Sequence, residues 1–148
     1  MISHVSRPEY RPLGYIVHRV HLVLRAEATA ALEPIGVTLN EFVLMVMLAD
    51  SPGQSSAELA RGIGLTPQAA NLILKELETM GTVTRPPHAP SGRARPAKLT
   101  AAGAARLRRA EKAVRHADEK LLSRLSRNRA DELRLLLTEL GSAHADTN

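Results

Sequence analysis

The stretch SSAELARGIGLTPQAANLILKELETMG, residues 55–81, decides how the chain reads. Ser55 and Glu58 have the spacing of a capping box, in which the Ser side chain meets the amide three residues on and the Glu carboxylate reaches back. A short helix over 57–63 follows, and Gly62-Ile63-Gly64 breaks it. Thr66 then caps a second helix, with Pro67 at the favoured first position. That helix runs over 66–80 with Ala70, Ile73, Leu74 and Leu77 as its inward stripe, and Gly81 terminates it. Two helices joined by a tight glycine turn within about 25 residues form the helix-turn-helix pattern.

The flanking sequence extends this motif. Val83 and Thr84 favour strand, as do Leu99 and Thr100 more weakly. Between them lie Pro86, Pro87, Pro90, Ser91, Gly92 and Pro96, which reads as a β-hairpin with a long basic tip. A helix-turn-helix followed by such a hairpin is a winged helix. Upstream, Leu13, Ile16, Val17, Val20, Val23 and Leu24 keep helical spacing until Pro34 and Gly36 stop the helix. Thr38 and Glu41 form a second capping box, opening a helix through Phe42, Leu44, Met45, Met47 and Leu48. Downstream, Thr100 caps a helix with a seam at Leu107, Ala110, Val114, Ala117 and Leu121. Ser126 or Asn128 interrupts it. A last helix carries Leu133, Leu136, Leu137 and Leu140, Gly141 ends it, and the tail is expected to fray. The fold class is mainly α with a small β-hairpin wing, in a single domain.

Composition narrows the function. The 148 residues suit one domain with a real core. Hydrophobic residues make up 44% and aromatic residues 2%. Net charge is +5, but residues 81–115 hold nine bases against the single acid Glu111, a local +8, so the remainder sums to −3. That asymmetry points to an anionic partner, although a solvated helix face would look alike. With no cysteine there is no disulfide framework, thiolate nucleophile or Cys zinc site. No apolar run approaches a membrane span, and residues 1–12 do not resemble a signal peptide, so the chain reads as cytoplasmic with no membrane partner.

The chain resembles the MarR family of winged-helix transcription regulators. The resemblance is carried by Leu13-Gly14-Tyr15, Gly36-Val37-Thr38-Leu39, Ser56-Ala57-Glu58-Leu59-Ala60, Gly64-Leu65-Thr66, and Arg93 followed by Leu99-Thr100 and Gly103. It implies a homodimer of interlocked terminal helices, 13–33 and 101–145, with a DNA-binding lobe over 38–100. It also implies control by a small ligand, and the missing cysteine removes a thiol-oxidation switch. The family's wing usually carries an Asp two residues before its tip Arg. Ser91 stands there, and Arg95 is near enough to share the role of Arg93.

These readings nominate sites. On the recognition helix, Thr66, Pro67, Gln68, Asn71 and Lys75 face double-stranded DNA, with Gln and Asn suited to adenine edges. Arg93 at the hairpin tip suits a narrow A·T minor groove, a role Arg95 is near enough to share, while Arg85 and Lys98 on the hairpin strands suit phosphate contacts. Most of Arg106, Arg108, Arg109, Lys112 and Arg115 read as solvated or paired with Glu111. Tyr15, His18, His21 and Arg25 are placed, by resemblance, to hold a small anionic or phenolic effector. His18, His21 and His116 lack a metal signature, so no metal and no cofactor are expected. No nucleophile–base pair, carboxylate pair or phosphate loop indicates catalysis. The expected function is a dimeric transcriptional regulator, a repressor released by ligand. The alternatives are a non-specific architectural DNA binder, or a ligand- or protein-binding module without DNA function.

Overall fold

The computed structural model describes residues 11–87 and 95–142. The elements in order are α1 (Leu13–Leu32), a 3-10 turn (Glu33–Ile35), α2 (Leu39–Asp50), α3 (Ser56–Ile63), α4 (Pro67–Thr79), β1 (Val83–Thr84), β2 (Lys98–Leu99), α5 (Ala101–Leu122) and α6 (Arg127–Ser142). Residues 1–10, the expected wing tip with Ser91 and Arg93, and the expected C-terminal tail beyond residue 142 lie outside the described residues.

Local chemistry sets the helix starts. The Glu41 amide donates to Thr38 Oγ1 at 3.3 Å and the Thr38 amide donates to Glu41 Oε2 at 2.6 Å. Ser55 and Glu58 repeat the exchange at 3.3 and 2.7 Å. Amides that the first helical turn leaves orphaned are thus satisfied. The Ser55 amide also holds the Glu58 carboxyl below its ordinary range. Between α3 and α4 the chain turns at Gly64, whose φ of +69° is the left-handed conformation. Gly62 belongs to α3 itself, so the expected three-residue break narrows to Gly64.

The core gathers Leu44, Met45 and Leu48 of α2, Leu59 of α3, and Leu74 and Leu77 of α4. Leu107 and Ala110 bring α5 into it, and Leu32 brings the end of α1. β1 and β2 pair antiparallel with Val83 opposite Leu99 and Thr84 opposite Lys98. The second strand sits one residue earlier than expected because Thr100 leaves it to cap α5, accepting from the Gly103 amide at 2.9 Å. Its hydroxyl also donates to the Gly81 carbonyl at 2.6 Å. On the other side of β2, the Gly53 amide donates to the Ala97 carbonyl at 2.9 Å, and the Ala97 amide to the Gln54 carbonyl at 3.0 Å. The α2–α3 loop is thereby tied to the wing.

The terminal helices differ from this lobe. The predicted stripe on α1 forms a helix as expected, yet Leu13, Ile16, Val17, Val20 and Val23 all remain exposed. On α6, Leu133, Leu136, Leu137 and Leu140 are exposed too. The break before α6 falls at Ser126, whose carbonyl accepts from the Ala130 amide, and α6 passes through Gly141 to Ser142. Among the described residues no single helix is long and apolar enough to cross a membrane.

Two glycines separate backbone constraint from side-chain contact. A Cβ on Gly103 would stand 2.0 Å from the Thr82 carbonyl oxygen, whereas one on Gly62 would meet the end of the Met47 side chain, its methyl at 2.2 Å and its sulfur at 3.2 Å. Backbone at the wing root cannot yield, but a Met side chain can. Gly103→Ala should therefore cost about 2–3 kcal/mol. Gly62→Ala should change stability by less than about 1 kcal/mol, aided by the better helix propensity of Ala. Urea unfolding of the two variants checks this, and equal losses would contradict it.

Candidate nucleic-acid interface

Burying Ala70, Leu74 and Leu77 turns the opposite side of α4 outward. Pro67, Gln68, Leu72, Lys75 and Thr79 are exposed there. Thr66, exposed as expected, uses its hydroxyl to accept from the Ala69 amide at 3.2 Å, so it is a helix cap first. Gln68 is exposed and makes no hydrogen bond to other described residues, so both ends of its amide are open.

Asn71 does not share that face. It is half-buried on the flank toward the wing, and its Oδ1 accepts from Arg85 Nη1 at 2.8 Å. Arg carries only donors, so the oxygen end must face it. The two-ended adenine contact expected of Asn71 would compete with this bond. Seven residues along the same flank, Glu78 Oε2 accepts from Arg85 Nη2. One guanidinium therefore spans about two turns of α4.

The Arg85 side chain is 4% exposed. The phosphate contact expected of Arg85 does not fit this position, because its guanidinium is turned inward onto Asn71 and Glu78 of α4. Arg95 completes the arrangement. Its Nε donates to the Pro86 carbonyl, and its Nη2 lies 3.5 Å from Glu78 Oε1. Glu78 thus receives one Arg from each side of the hairpin. The bond from Arg85 holds the Glu78 carboxyl below its ordinary range, against the upward push of burial. Ser91 lies outside the described residues; among those described, Glu78 supplies the carboxylate at the wing base.

Lys98 is exposed on β2. Arg106 is half-buried with Nη1 3.5 Å from Thr82 Oγ1. Arg108, Lys112 and Arg115 line an open basic groove on α5 with Glu111, and among the described residues Glu111 forms no ion pair. Tyr15, His18, His21 and Arg25 are all exposed along α1, with the Arg11 guanidinium 5.7 Å from the Tyr15 ring centre. No cluster of His, Asp or Glu able to hold a metal occurs among the described residues.

Comparison with known proteins bears directly on this geometry. The MarR family model matches residues 37–94, from the approach to α2 past β1 and short of β2. The HTH-type transcriptional repressor Rv2887 of Mycobacterium tuberculosis is 53% identical over 131 residues, covering 88% of this chain and 94% of its own. The chain belongs to the MarR family. A crystal structure of the M. tuberculosis MarR protein in complex with DNA superposes with a TM-score of 0.79 at 49% identity, covering 89% of this chain and 99% of that one. Its complex with salicylic acid gives 0.77 at 50% identity, covering 90% and 99%.

In this MarR chain, sequence reading passed over two residues of this surface, Leu72 and Glu78. Leu72 was open to detection, since a helical turn places it opposite the buried stripe. Glu78 was not, because nothing local pairs it with Arg85. The brace has a measurable consequence. Glu78→Gln should lower stability by about 1 kcal/mol, reduced by the partial exposure of the carboxylate. The folded pKa of Glu78 is depressed, so its contribution is present above the unfolded value of about 4.3 and fades as pH falls through the folded value. Urea unfolding at pH 7 and below pH 4 should show the gap between wild type and variant closing on acidification. A gap that widens at low pH would contradict the brace.

Proposed function

We propose that the chain is a cytoplasmic, dimeric, sequence-specific DNA-binding transcriptional repressor released by a small anionic or phenolic ligand. The observation that carries the reading is the outward face of α4, held beside the wing, in a chain 49% identical to a mycobacterial MarR protein crystallised with DNA. In this reading Gln68 and Lys75 enter the major groove from α4. Lys98 contacts phosphate and Arg93 serves the wing tip, while Arg95 is engaged at the wing base by Glu78 and the Pro86 carbonyl. The lobe over 38–100 reads DNA, and the helices over 13–33 and 101–145 make the dimer. Exposed apolar stripes on α1 and α6 support the dimer, because a lone soluble chain rarely leaves such patches uncovered.

Salicylic acid bound to the mycobacterial relative supports an effector of that class. His18, His21 and Arg25 would supply donors to its carboxylate, and Tyr15 an aromatic face. Such a ligand acts only if it binds one separation of the two lobes better than the other.

The test is fluorescence anisotropy with duplex from the intergenic region upstream of the chain's own gene, at fixed salt. Expected is binding on the order of 10³-fold or more tighter than to scrambled duplex, reversed by salicylate. A ratio near one would favour the architectural alternative, and no binding at low salt would sink the reading. Lys98→Ala should weaken binding to all duplexes alike and reduce the salt slope by about one unit. Arg25→Ala should blunt the salicylate response while leaving the DNA affinity in place.

A further inference from the structure

Leu72 on α4 is 59% exposed. The buried side of α4 is Ala70, Leu74 and Leu77, and 3.6 residues per turn put Leu72 opposite it. Gln68 precedes it by four residues and Lys75 follows by three, both exposed, with Thr79 one turn further on the same side. Leu72 therefore stands in the middle of the outward face, not at its margin.

Its exposure differs in kind from the other exposed hydrophobics. Among the described residues those lie on α1 or α6, with Met80, 37% exposed at the end of α4, as the other exception. The α1 and α6 residues form stripes, as a second copy would require. Leu72 stands alone between an amide and an ammonium group. More than half of its surface meets solvent, at a solvation cost that a polar residue there would avoid.

Among the base-edge groups that distinguish the four bases in the major groove, the C5-methyl of thymine is the apolar one. The others are donors or acceptors that Leu cannot bond, and the bare C5–H of cytosine offers far less apolar surface than the methyl. We propose that Leu72 determines specificity by packing on a thymine methyl in each half-site, between the polar contacts of Gln68 and Lys75. The inference rests on the reading of α4 as the DNA-reading helix. Cytosine at that position would lose the methyl contact and would also leave its N4 amine desolvated against Leu, so discrimination has an attractive and a repulsive part.

Replacing thymine by deoxyuridine removes only the methyl. The full chain is titrated against its own upstream duplex with each thymine replaced in turn, using wild type and Leu72→Ala. Leu72 is exposed and Ala favours helix, so the variant keeps the fold, checked by an unchanged Tm. Expected is one thymine per half-site where deoxyuridine weakens wild-type binding about fourfold, and roughly tenfold or more when both half-sites are replaced. Leu72→Ala should bind the thymine duplex correspondingly less well and show no further loss with deoxyuridine there. Equal deoxyuridine losses in both proteins, or no loss at any thymine, would overturn the assignment of Leu72 while leaving DNA reading intact. No binding of wild type to the unmodified duplex would overturn DNA reading by α4 and the Leu72 inference with it.

Discussion

Arg85 is almost wholly buried, and a guanidinium in that position must be paired or it destabilises the fold. Glu78 pairs it, Asn71 takes a second N–H, and Arg95 approaches the same carboxylate from the returning side of the hairpin. The consequence is geometric. The wing base cannot swing away from α4 without leaving a buried charge unpaired. The outward face of α4 and the base of the hairpin are thus held at one separation, as the proposed contact with adjacent grooves of one duplex requires.

A second constraint runs from this unit to the terminal helices. α5 begins against the wing root, with Thr100 bonded to Gly81 and Gly103 packed on the Thr82 carbonyl. A turn later Leu107 and Ala110 enter the lobe core. The same helix then runs alongside α1, whose apolar stripe stays uncovered. In the proposed dimer, a ligand that shifts α1 against α5 would carry the wing and α4 with it as a rigid piece. Half-site spacing would then change without any change inside the lobe.

Legibility in the sequence followed the range of the interactions. Both capping boxes, the Thr66-Pro67 start of α4 and the Gly64 turn depend on neighbours within four residues, and all can be read from spacing. The second strand moved by one residue because Thr100 is claimed by α5, a competition between two local signals. The α1 stripe had legible periodicity, but periodicity says which residues share a face and not what covers it. Arg85 looked like a phosphate contact because sequence displays charge without its partner. Asn71 sits at an intermediate angle on α4, where a helical wheel does not separate the DNA side from the wing side.

In the proposed complex two such braced units meet one DNA duplex together. A hydroxyl-radical footprint of the chain on its own upstream intergenic DNA distinguishes this arrangement from others. Two protected half-sites on one face of the duplex, about one helical turn apart and mirrored between strands, are the predicted result. Protection spread evenly along the fragment, or confined to one half-site at saturation, would contradict it.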